Sequence, residues 1–337
     1  MRPLLLLAAV LAGLLAVPAG AEPLSPPSLP GPAYTGDFPD PHVQLVGSTY
    51  YAYSTTTGGR HLPVLHSTDL TTWTGVPAQG PAVGDALPRP ASWSTDRDGI
   101  GIAKETWAPA VTRLGERYVA YYSVRVGLPH RFCLSVATSA VPEGPFVDAT
   151  SEPLVCDLDP GGSIDPFAFV DPGSGKAYLA WKAEGHPGRA PQRLLARELQ
   201  PSGLAFVAGS SVRELLRPTR DWEAGVVENP GMISYRGRWY LFYSGNHWNT
   251  AAYAEGVAVC RTPLGPCTKQ GAGPLMRSTA SKLGRAGASP FVGSAGRLRL
   301  AYHYWQAPHT SYESGGYRRL GVATVTVEKD GRLSVRD

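Results

Sequence analysis

The sequence predicts an all-β fold, a five-bladed β-propeller, because two kinds of marks recur together along it. Five short segments rich in tyrosine and other strand-forming residues return at intervals of about sixty residues, and each follows a proline by a similar distance. A unit of this length has room for about four short strands and their turns, which is one propeller blade. The segments lie at 50–53, 118–121, 178–181, 240–243 and 299–302, and the prolines are Pro41, Pro109, Pro166, Pro230 and Pro290.

A second repeat supports this fold. The letters V-A-T-S at 136–139 run into G-P-F at 144–146, and V-A-V-C at 257–260 run into G-P-C at 265–267. The 39 glycines and 32 prolines indicate many turns, and long helical periodicity is absent. A generic β-protein with evenly spaced turns is the alternative. It does not explain why the proline and aromatic marks recur together.

The start of the chain predicts secretion. Arg2 precedes an apolar run at 4–17, and A-G-A at 19–21 is a small-residue cleavage site, so we expect residues 1–21 to be a signal peptide. The proline-rich stretch 22–36 reads as an extended leader. Residues 37–337 then form the propeller. No later segment is long and apolar enough for a membrane span, and no appended module is expected.

Charge and cysteine content narrow the function classes. The formal net charge of +4 is small and scattered, which argues against nucleic-acid binding. In a secreted chain the four cysteines are expected to form disulfides, and the sequence allows three pairings. We favour Cys133–Cys156 with Cys260–Cys267, because each bond then stays within one repeat. The cysteine spacing does not fit a zinc site.

Three acids stand at matching points of the repeat, beside its prolines. They are Asp40 in F-P-D-P-H-V, Asp165 in G-S-I-D-P-F and Glu228 in V-V-E-N-P-G. The inner strand of each propeller blade lines a central channel, so we expect these carboxyl groups to meet at one mouth of that channel. Glycoside hydrolysis needs two carboxyl groups in opposite protonation states, and a third can raise the pKa of the acid. Trp107, in W-A-P of the second repeat, offers a face for a sugar ring.

These motifs resemble glycoside hydrolase family 43, the group of arabinanases, α-L-arabinofuranosidases and β-xylosidases. The likeness covers nearly the whole mature chain and implies a five-bladed propeller that hydrolyses with inversion. It implies that Asp40 is the general base, that Glu228 is the general acid, and that Asp165 orients the acid and raises its pKa. Trp107 would wall the substrate site. His303 would lie in the central channel, where some members hold a calcium ion or water.

Several alternatives remain open at the level of sequence. Asp37 is a rival to Asp40, and Glu223 is a rival to Glu228. Asp40 and Asp165 could each be an ordinary turn aspartate before proline, and Trp107 and His303 could be core residues. Three departures from the family pattern concern substrate and calcium rather than the acids: Ala110 after W-A-P, Asn229 between the acid and its proline, and G-A-S-P at 287–290.

The sequence therefore predicts a secreted, inverting hydrolase of α-L-arabinofuranosidic linkages in arabinan or arabinoxylan. A β-D-xylosidase of the same family and a non-catalytic sugar-binding propeller are the alternatives. A retaining, sucrose-active propeller ranks lower, since such enzymes usually carry R-D-P and E-C motifs. We expect a plant cell-wall polysaccharide or oligosaccharide as the partner, with no nucleic acid and no membrane after signal cleavage, and a monomer. No cofactor is required, although calcium could occupy the central channel.

Overall fold

The computed structural model describes residues 34–75, 84–95, 104–127, 131–159, 161–186 and 188–337. The predicted signal peptide and most of the leader lie outside these residues. The described strands form five antiparallel sheets, and within each sheet the strands are hydrogen-bonded in chain order. No helix among the described residues is both long and apolar enough to cross a membrane.

The strands divide among five blades. Blade one contains β1 (His42–Val46), β2 (Thr49–Tyr53), β3 (Val64–Ser67) and β4 (Thr74–Gly75). Blade two contains β5 (Thr106–Leu114), β6 (Arg117–Val126) and β7 (Arg131–Ser139). Blade three contains β8 (Ser163–Val170), β9 (Ala177–Ala183), β10 (Arg193–Leu199) and β11 (Arg213–Leu216). Blade four contains β12 (Glu228–Tyr235), β13 (Arg238–Gly245), β14 (Ala254–Cys260) and β15 (Cys267–Lys269). Blade five contains β16 (Lys282–Val292), β17 (Leu298–Gln306), β18 (Arg318–Val327) and β19 (Leu333–Arg336), and two short 3-10 helices span Asp221–Glu223 and Ser294–Gly296.

The first strands of the blades form a closed ring. Strand β1 contacts β5, β5 contacts β8, β8 contacts β12, β12 contacts β16, and β16 returns to β1. This arrangement confirms the five-bladed propeller. Each repeated aromatic segment lies in the second strand of its blade, where its large side chains are buried.

The hydrophobic core is divided into five clusters, each between two neighbouring blades. Between blades one and two, for example, Tyr53 packs with Tyr122 and Phe146. Between blades five and one, Tyr50 and Trp73 pack with Phe291. Because every blade buries both of its faces in this way, the aromatic residues of the second strands fill the wedge-shaped spaces that a radial arrangement leaves.

Blade two differs from the expectation of four strands in each unit. Its sheet has three strands among the described residues. The position of a fourth strand is marked by two isolated bridges to β7, Thr138 with Val147 and Leu134 with Val155. Thr138 and Val147 exchange backbone hydrogen bonds. Val147 follows the G-P-F turn, so the repeat is present at this point but the strand pairing does not extend.

Both disulfides have the pairing that we favoured. Cys133 is bonded to Cys156, and Cys260 is bonded to Cys267. The second bond joins β14 to β15, the two outermost strands of blade four. Each bond lies within one repeat.

The residues before the repeated prolines adopt an unusual backbone conformation. Asp40, Ala108, Asp165 and Asn229 have φ angles of 51°, 42°, 56° and 49°. Positive φ costs a residue other than glycine about 1–3 kcal/mol, and such strain clusters at functional sites. In blade five the positive φ, at 63°, belongs to Gly287 and not to Ser289, the residue directly before the proline, and β16 has two register shifts in this region.

Candidate active site

The five positions with positive φ, one in each blade, surround a small central cavity, which we call the hub. Its lining includes Asp40, Ala108, Asp165, Asn229 and Gly287. The cavity has a volume of about 30 Å³, which is enough for about one ordered water molecule. The geometry therefore brings residues from all five blades to one point on the axis.

Asp40 is a buried carboxylate held by a cation. Arg318 Nη1 donates to Asp40 Oδ1 at 3.1 Å and lies 3.3 Å from Oδ2. The Thr55 hydroxyl donates to Oδ2 at 2.6 Å. Burial alone would raise the pKa of Asp40, but the Arg318 charge and the Thr55 hydrogen bond hold it well below its usual range. Asp40 is therefore ionised at neutral pH, as a general base must be.

Asp37, the rival to Asp40, has a structural position. Its Oδ1 accepts the backbone N–H of Arg318 at 2.7 Å, and its Oδ2 accepts the hydroxyl of Thr57 at 3.0 Å. Tyr312 also donates to it, at 3.2 Å. These bonds join blade one to blade five beside the Arg318 side chain, so Asp37 supports the residue that holds Asp40.

Glu228 begins β12 and is largely buried, with a side chain 11% exposed. Lys182 Nζ donates to Glu228 Oε2 at 2.8 Å and to Glu184 Oε2 at 3.0 Å. Burial alone would lower the pKa of Lys182, but the charges of Glu228, Glu184 and Asp165 raise it well above its usual range. The buried ammonium group of Lys182 thus interacts electrostatically with three carboxyl groups.

Asp165 is buried, and the charges of both Glu228 and Asp40 act on its pKa. Its Oδ2 accepts the backbone N–H of Asn229, the residue after Glu228, at 2.9 Å. Burial and the Glu228 charge raise the pKa of Asp165 well above its usual range, against the opposing effect of Lys182. Asp165 therefore retains a proton that Asp40 does not. Two carboxyl environments of opposite character are what acid–base hydrolysis requires.

Glu223, the rival to Glu228, is fully buried, and both of its carboxylate oxygens accept hydrogen bonds. Lys269 Nζ donates to its Oε1 at 2.6 Å, and the hydroxyl of Tyr243 donates to the same atom at 2.8 Å. The backbone N–H groups of Thr219 and Arg220 donate to Oε2. Glu223 lies in the 3-10 helix before β12 and fixes that turn, so it acts in the structure of the blade.

Trp107 stands at the edge of the hub and is only partly buried. Its ring stacks on that of Phe132, with centroids 3.8 Å apart and an interplanar angle of 24°. The next residue, Ala108, donates its backbone N–H to the Thr55 hydroxyl, which in turn donates to Asp40. The indole is therefore held in a fixed orientation close to the candidate base.

His303 is fully buried and touches Asp40. Its Nδ1 accepts the backbone N–H of Asp40 at 3.1 Å, which leaves the proton on Nε2. Within the described residues Nε2 has no hydrogen-bond partner. The ring stacks on Tyr253 with centroids 5.7 Å apart. Burial lowers the pKa of His303, although Asp40 opposes this, so the imidazole is neutral and presents an N–H group.

The residues around His303 do not fit a calcium site. Calcium takes about six to eight oxygen ligands. The carboxylate nearest to His303 belongs to Asp40, and Arg318 already pairs with it. No group of three or more His, Cys, Asp or Glu side chains in the described ranges could hold a metal ion. The N–H of His303 would instead suit water as its partner.

The sequence interpretation missed three charged residues. Arg318 and Lys182 hold Asp40 and Glu228, and each comes from a different blade or strand than its partner. Glu255 in β14 is a fourth buried acid beside the hub. It accepts hydrogen bonds from the Ser244 hydroxyl at 3.0 Å and the Ala288 N–H at 3.3 Å. Burial raises the pKa of Glu255 well above its usual range.

Comparison with known proteins agrees with this geometry. The chain is 26% identical over 247 residues to the β-D-galactofuranosidase xynD of Aspergillus niger, a match covering 70% of this chain and 64% of that protein. It is 28% identical over 173 residues to a β-xylosidase of Formosa agariphila, covering 50% of this chain and 26% of that protein. The chain thus spans less than two thirds of the length of either relative.

A solved structure described as a thermostable family-43 glycoside hydrolase superposes with a TM-score of 0.74 at 25% identity. The alignment covers 89% of this chain and 93% of that one. The model of glycosyl hydrolases family 43 matches residues 30–333. Since this match includes all three acids and every blade, the chain belongs to glycosyl hydrolases family 43.

Proposed function

We propose that this protein hydrolyses α-L-arabinofuranosidic linkages in arabinan or arabinoxylan with inversion of the anomeric carbon. The observation that carries this proposal is the opposite state of the carboxyl groups at one hub. Asp40 is kept ionised by Arg318. Burial and the Glu228 charge raise the pKa of Asp165 well above its usual range, so Asp165 keeps a proton. A base and an acid are thus ready at the same pH.

In the proposed reaction Asp40 is the general base. A water molecule beside Asp40 attacks the anomeric carbon and transfers a proton to the carboxylate as the new C–O bond forms. Arg318 and Thr55 fix the orientation of the carboxylate. Because these partners also stabilise its charged form, Asp40 is fully ionised over the neutral range.

Glu228 is the proposed general acid. It donates its proton to the glycosidic oxygen as the bond from that oxygen to the anomeric carbon breaks, so one proton enters the leaving group while another leaves the water. Lys182 Nζ, 2.8 Å from Glu228 Oε2, then stabilises the carboxylate that remains. Asp165 supports this step by holding a proton beside Glu228, whose charge raises the pKa of Asp165.

Arabinofuranose is proposed as the sugar for a stereochemical reason. One relative is a β-D-galactofuranosidase, and β-D-galactofuranose has the same ring configuration as α-L-arabinofuranose, with one additional exocyclic carbon. The similarity to a β-xylosidase makes β-D-xylose the second candidate. The face of Trp107 opposite Phe132 is proposed to pack against the sugar ring in either case.

A non-catalytic sugar-binding propeller is the competing class of function. A binding protein has no need of a buried base held by Arg318 and a separate carboxyl pair beside Lys182, since burying these charges is costly. The arrangement therefore favours catalysis.

A hydrolysis screen tests the proposal. We expect release of nitrophenol from 4-nitrophenyl α-L-arabinofuranoside, and loss of that activity in Glu228→Ala. Activity on 4-nitrophenyl β-D-xyloside alone would favour the second candidate. Absence of hydrolysis of both substrates and of linear arabinan would overturn the catalytic proposal.

Secretion is proposed as well, with residues 1–21 as the signal peptide, residues 22–36 as a leader and residues 37–337 as one catalytic propeller. The two disulfides support an oxidising compartment. Detection of the protein in culture medium with its N-terminus at Glu22 would test both the compartment and the cleavage site.

A further inference from the structure

A polar cleft opens beside the acid side of the hub. It lies between the loop that joins β9 to β10, the turn 224–226 before β12, and His247 after β13. Its volume of about 510 Å³ falls within the range of about 300–1,000 Å³ that is usual for ligand pockets. The cleft is therefore large enough for a sugar residue.

Two contacts connect the cleft to Glu228. Gln192, on the cleft wall, accepts the backbone N–H of Val227 at 3.2 Å, directly before Glu228. Glu184, also on the wall, is bonded to Lys182, which is bonded to Glu228. The cleft therefore adjoins the proposed acid rather than the proposed base.

This position has a chemical consequence. The general acid protonates the oxygen that departs, so the sugars beyond that oxygen must extend from the side of the acid. We propose that this cleft binds the leaving-group part of an oligosaccharide substrate, with Arg189 and His247 as hydrogen-bond donors and Glu184 as an acceptor. The inference rests on the proposed hydrolytic function.

The lining suits sugar hydroxyl groups. Arg189 and His247 are exposed, and Glu184 and Gln192 supply acceptor oxygens. Arg189 lies 3.4 Å from Asp159, and both side chains are mostly exposed, so a sugar can displace that contact at little cost. None of the described residues that line the cleft is Trp, Tyr or Phe. Recognition of the leaving group thus depends on hydrogen bonds, in contrast to the stacked indole of Trp107.

The test compares a substrate whose leaving group carries sugar hydroxyls with one whose leaving group, nitrophenol, carries none. We would measure kcat/KM for arabinotriose and for 4-nitrophenyl α-L-arabinofuranoside, and likewise for xylotriose and 4-nitrophenyl β-D-xyloside. The variant is the double substitution Arg189→Ala with His247→Ala. Arg332→Ala is the matched control, since it removes an exposed arginine of blade five that pairs only with exposed Asp330.

In the double variant we expect the ratio of kcat/KM for the trisaccharide to that for its aryl glycoside to fall about tenfold or more, chiefly through KM. The control should keep the wild-type ratio. An unchanged ratio in a double variant with a wild-type thermal transition would overturn the cleft assignment. Failure of the wild-type protein to cleave either aryl glycoside would instead overturn the proposed function, and the cleft assignment with it.

Discussion

Replacing Arg318 with Met removes the cation that faces Asp40 inside the protein. The two side chains are 9% and 13% exposed, and Arg318 Nη1 lies 3.1 Å from Asp40 Oδ1. The substitution keeps an unbranched side chain that can still pack on Trp248, whose ring lies 4.8 Å from the guanidinium carbon. It therefore isolates the charge of Arg318 from most of its packing.

The structure gives the expected size of the effect. At an effective dielectric constant of about 20, two charges at this separation attract by about 5 kcal/mol. Removal of one partner from a buried ion pair typically costs about 3–5 kcal/mol, because the other charge remains buried. We therefore expect Arg318→Met to lower the free energy of unfolding by about 3–5 kcal/mol at pH 7.

The pH dependence follows from the lowered pKa of Asp40. A carboxyl group whose pKa is lower in the folded state contributes stability above its unfolded pKa of about 3.9, and that contribution is lost as the pH falls towards the folded pKa. In the variant, burial is no longer opposed by Arg318, so the pKa of Asp40 rises. The stability difference between the two proteins should be largest at neutral pH and should narrow as the pH falls through the raised pKa of Asp40 in the variant.

Urea unfolding followed by tryptophan fluorescence measures the free energy of unfolding. The dependence of kcat/KM on pH across the acid range, with an aryl glycoside as substrate, measures the pKa of Asp40 as the base. The acid limb of the profile should move to higher pH in Arg318→Met and move less in Arg318→Lys, which keeps a charge. Arg217→Met is the control, because Arg217 pairs with Glu214 on the surface. A loss below about 1 kcal/mol together with an unmoved acid limb would refute the reasoning.

Three further predictions follow from the carboxyl pair and the indole. Lys182→Met should destabilise the protein by about 3–5 kcal/mol in urea titrations, and the alkaline limb of kcat should move to higher pH because Lys182 no longer lowers the pKa of Asp165. Asp165→Asn should lower kcat by about 10²–10⁴ with an unchanged circular dichroism spectrum. Unchanged kcat would remove Asp165 from the mechanism. Trp107→Ala should raise KM about tenfold with a smaller change in kcat, whereas Phe132→Leu, which keeps the indole, should have a weaker effect on KM.

The fold was predictable because its signal is periodic. The second strands carry buried aromatic side chains at regular spacing, and a radial fold places equivalent residues of each repeat at equivalent radii. For the same reason Asp40, Asp165 and Glu228 could be placed near one axis from their positions beside prolines. Blade five departs from this regular spacing. There the residue with positive φ is Gly287 and not Ser289, which directly precedes the proline, and β16 has two register shifts in this region.

The partners of the acids could not be predicted in this way. Arg318 is separated from Asp40 by 278 residues and Lys182 from Glu228 by 46 residues. Arg318 lies in β18 and Lys182 in β9. The local sequence does not show which acid each cation faces, because that acid comes from a different segment of the chain. Glu255 was hidden for the same reason. Its carboxyl group is recognisable only once Ser244 and Ala288 surround it.

The distinct roles of Glu228 and Asp40 are tested most directly by changing the leaving group. Dinitrophenolate departs from a 2,4-dinitrophenyl glycoside without help from an acid. Departure of nitrophenol from a 4-nitrophenyl glycoside benefits more from protonation of the glycosidic oxygen. We predict that Glu228→Gln recovers most of its lost activity on the dinitrophenyl substrate, while Asp40→Asn stays inactive on both. Equal losses on both substrates in the two variants, or full recovery of Asp40→Asn, would contradict the assignment of acid and base.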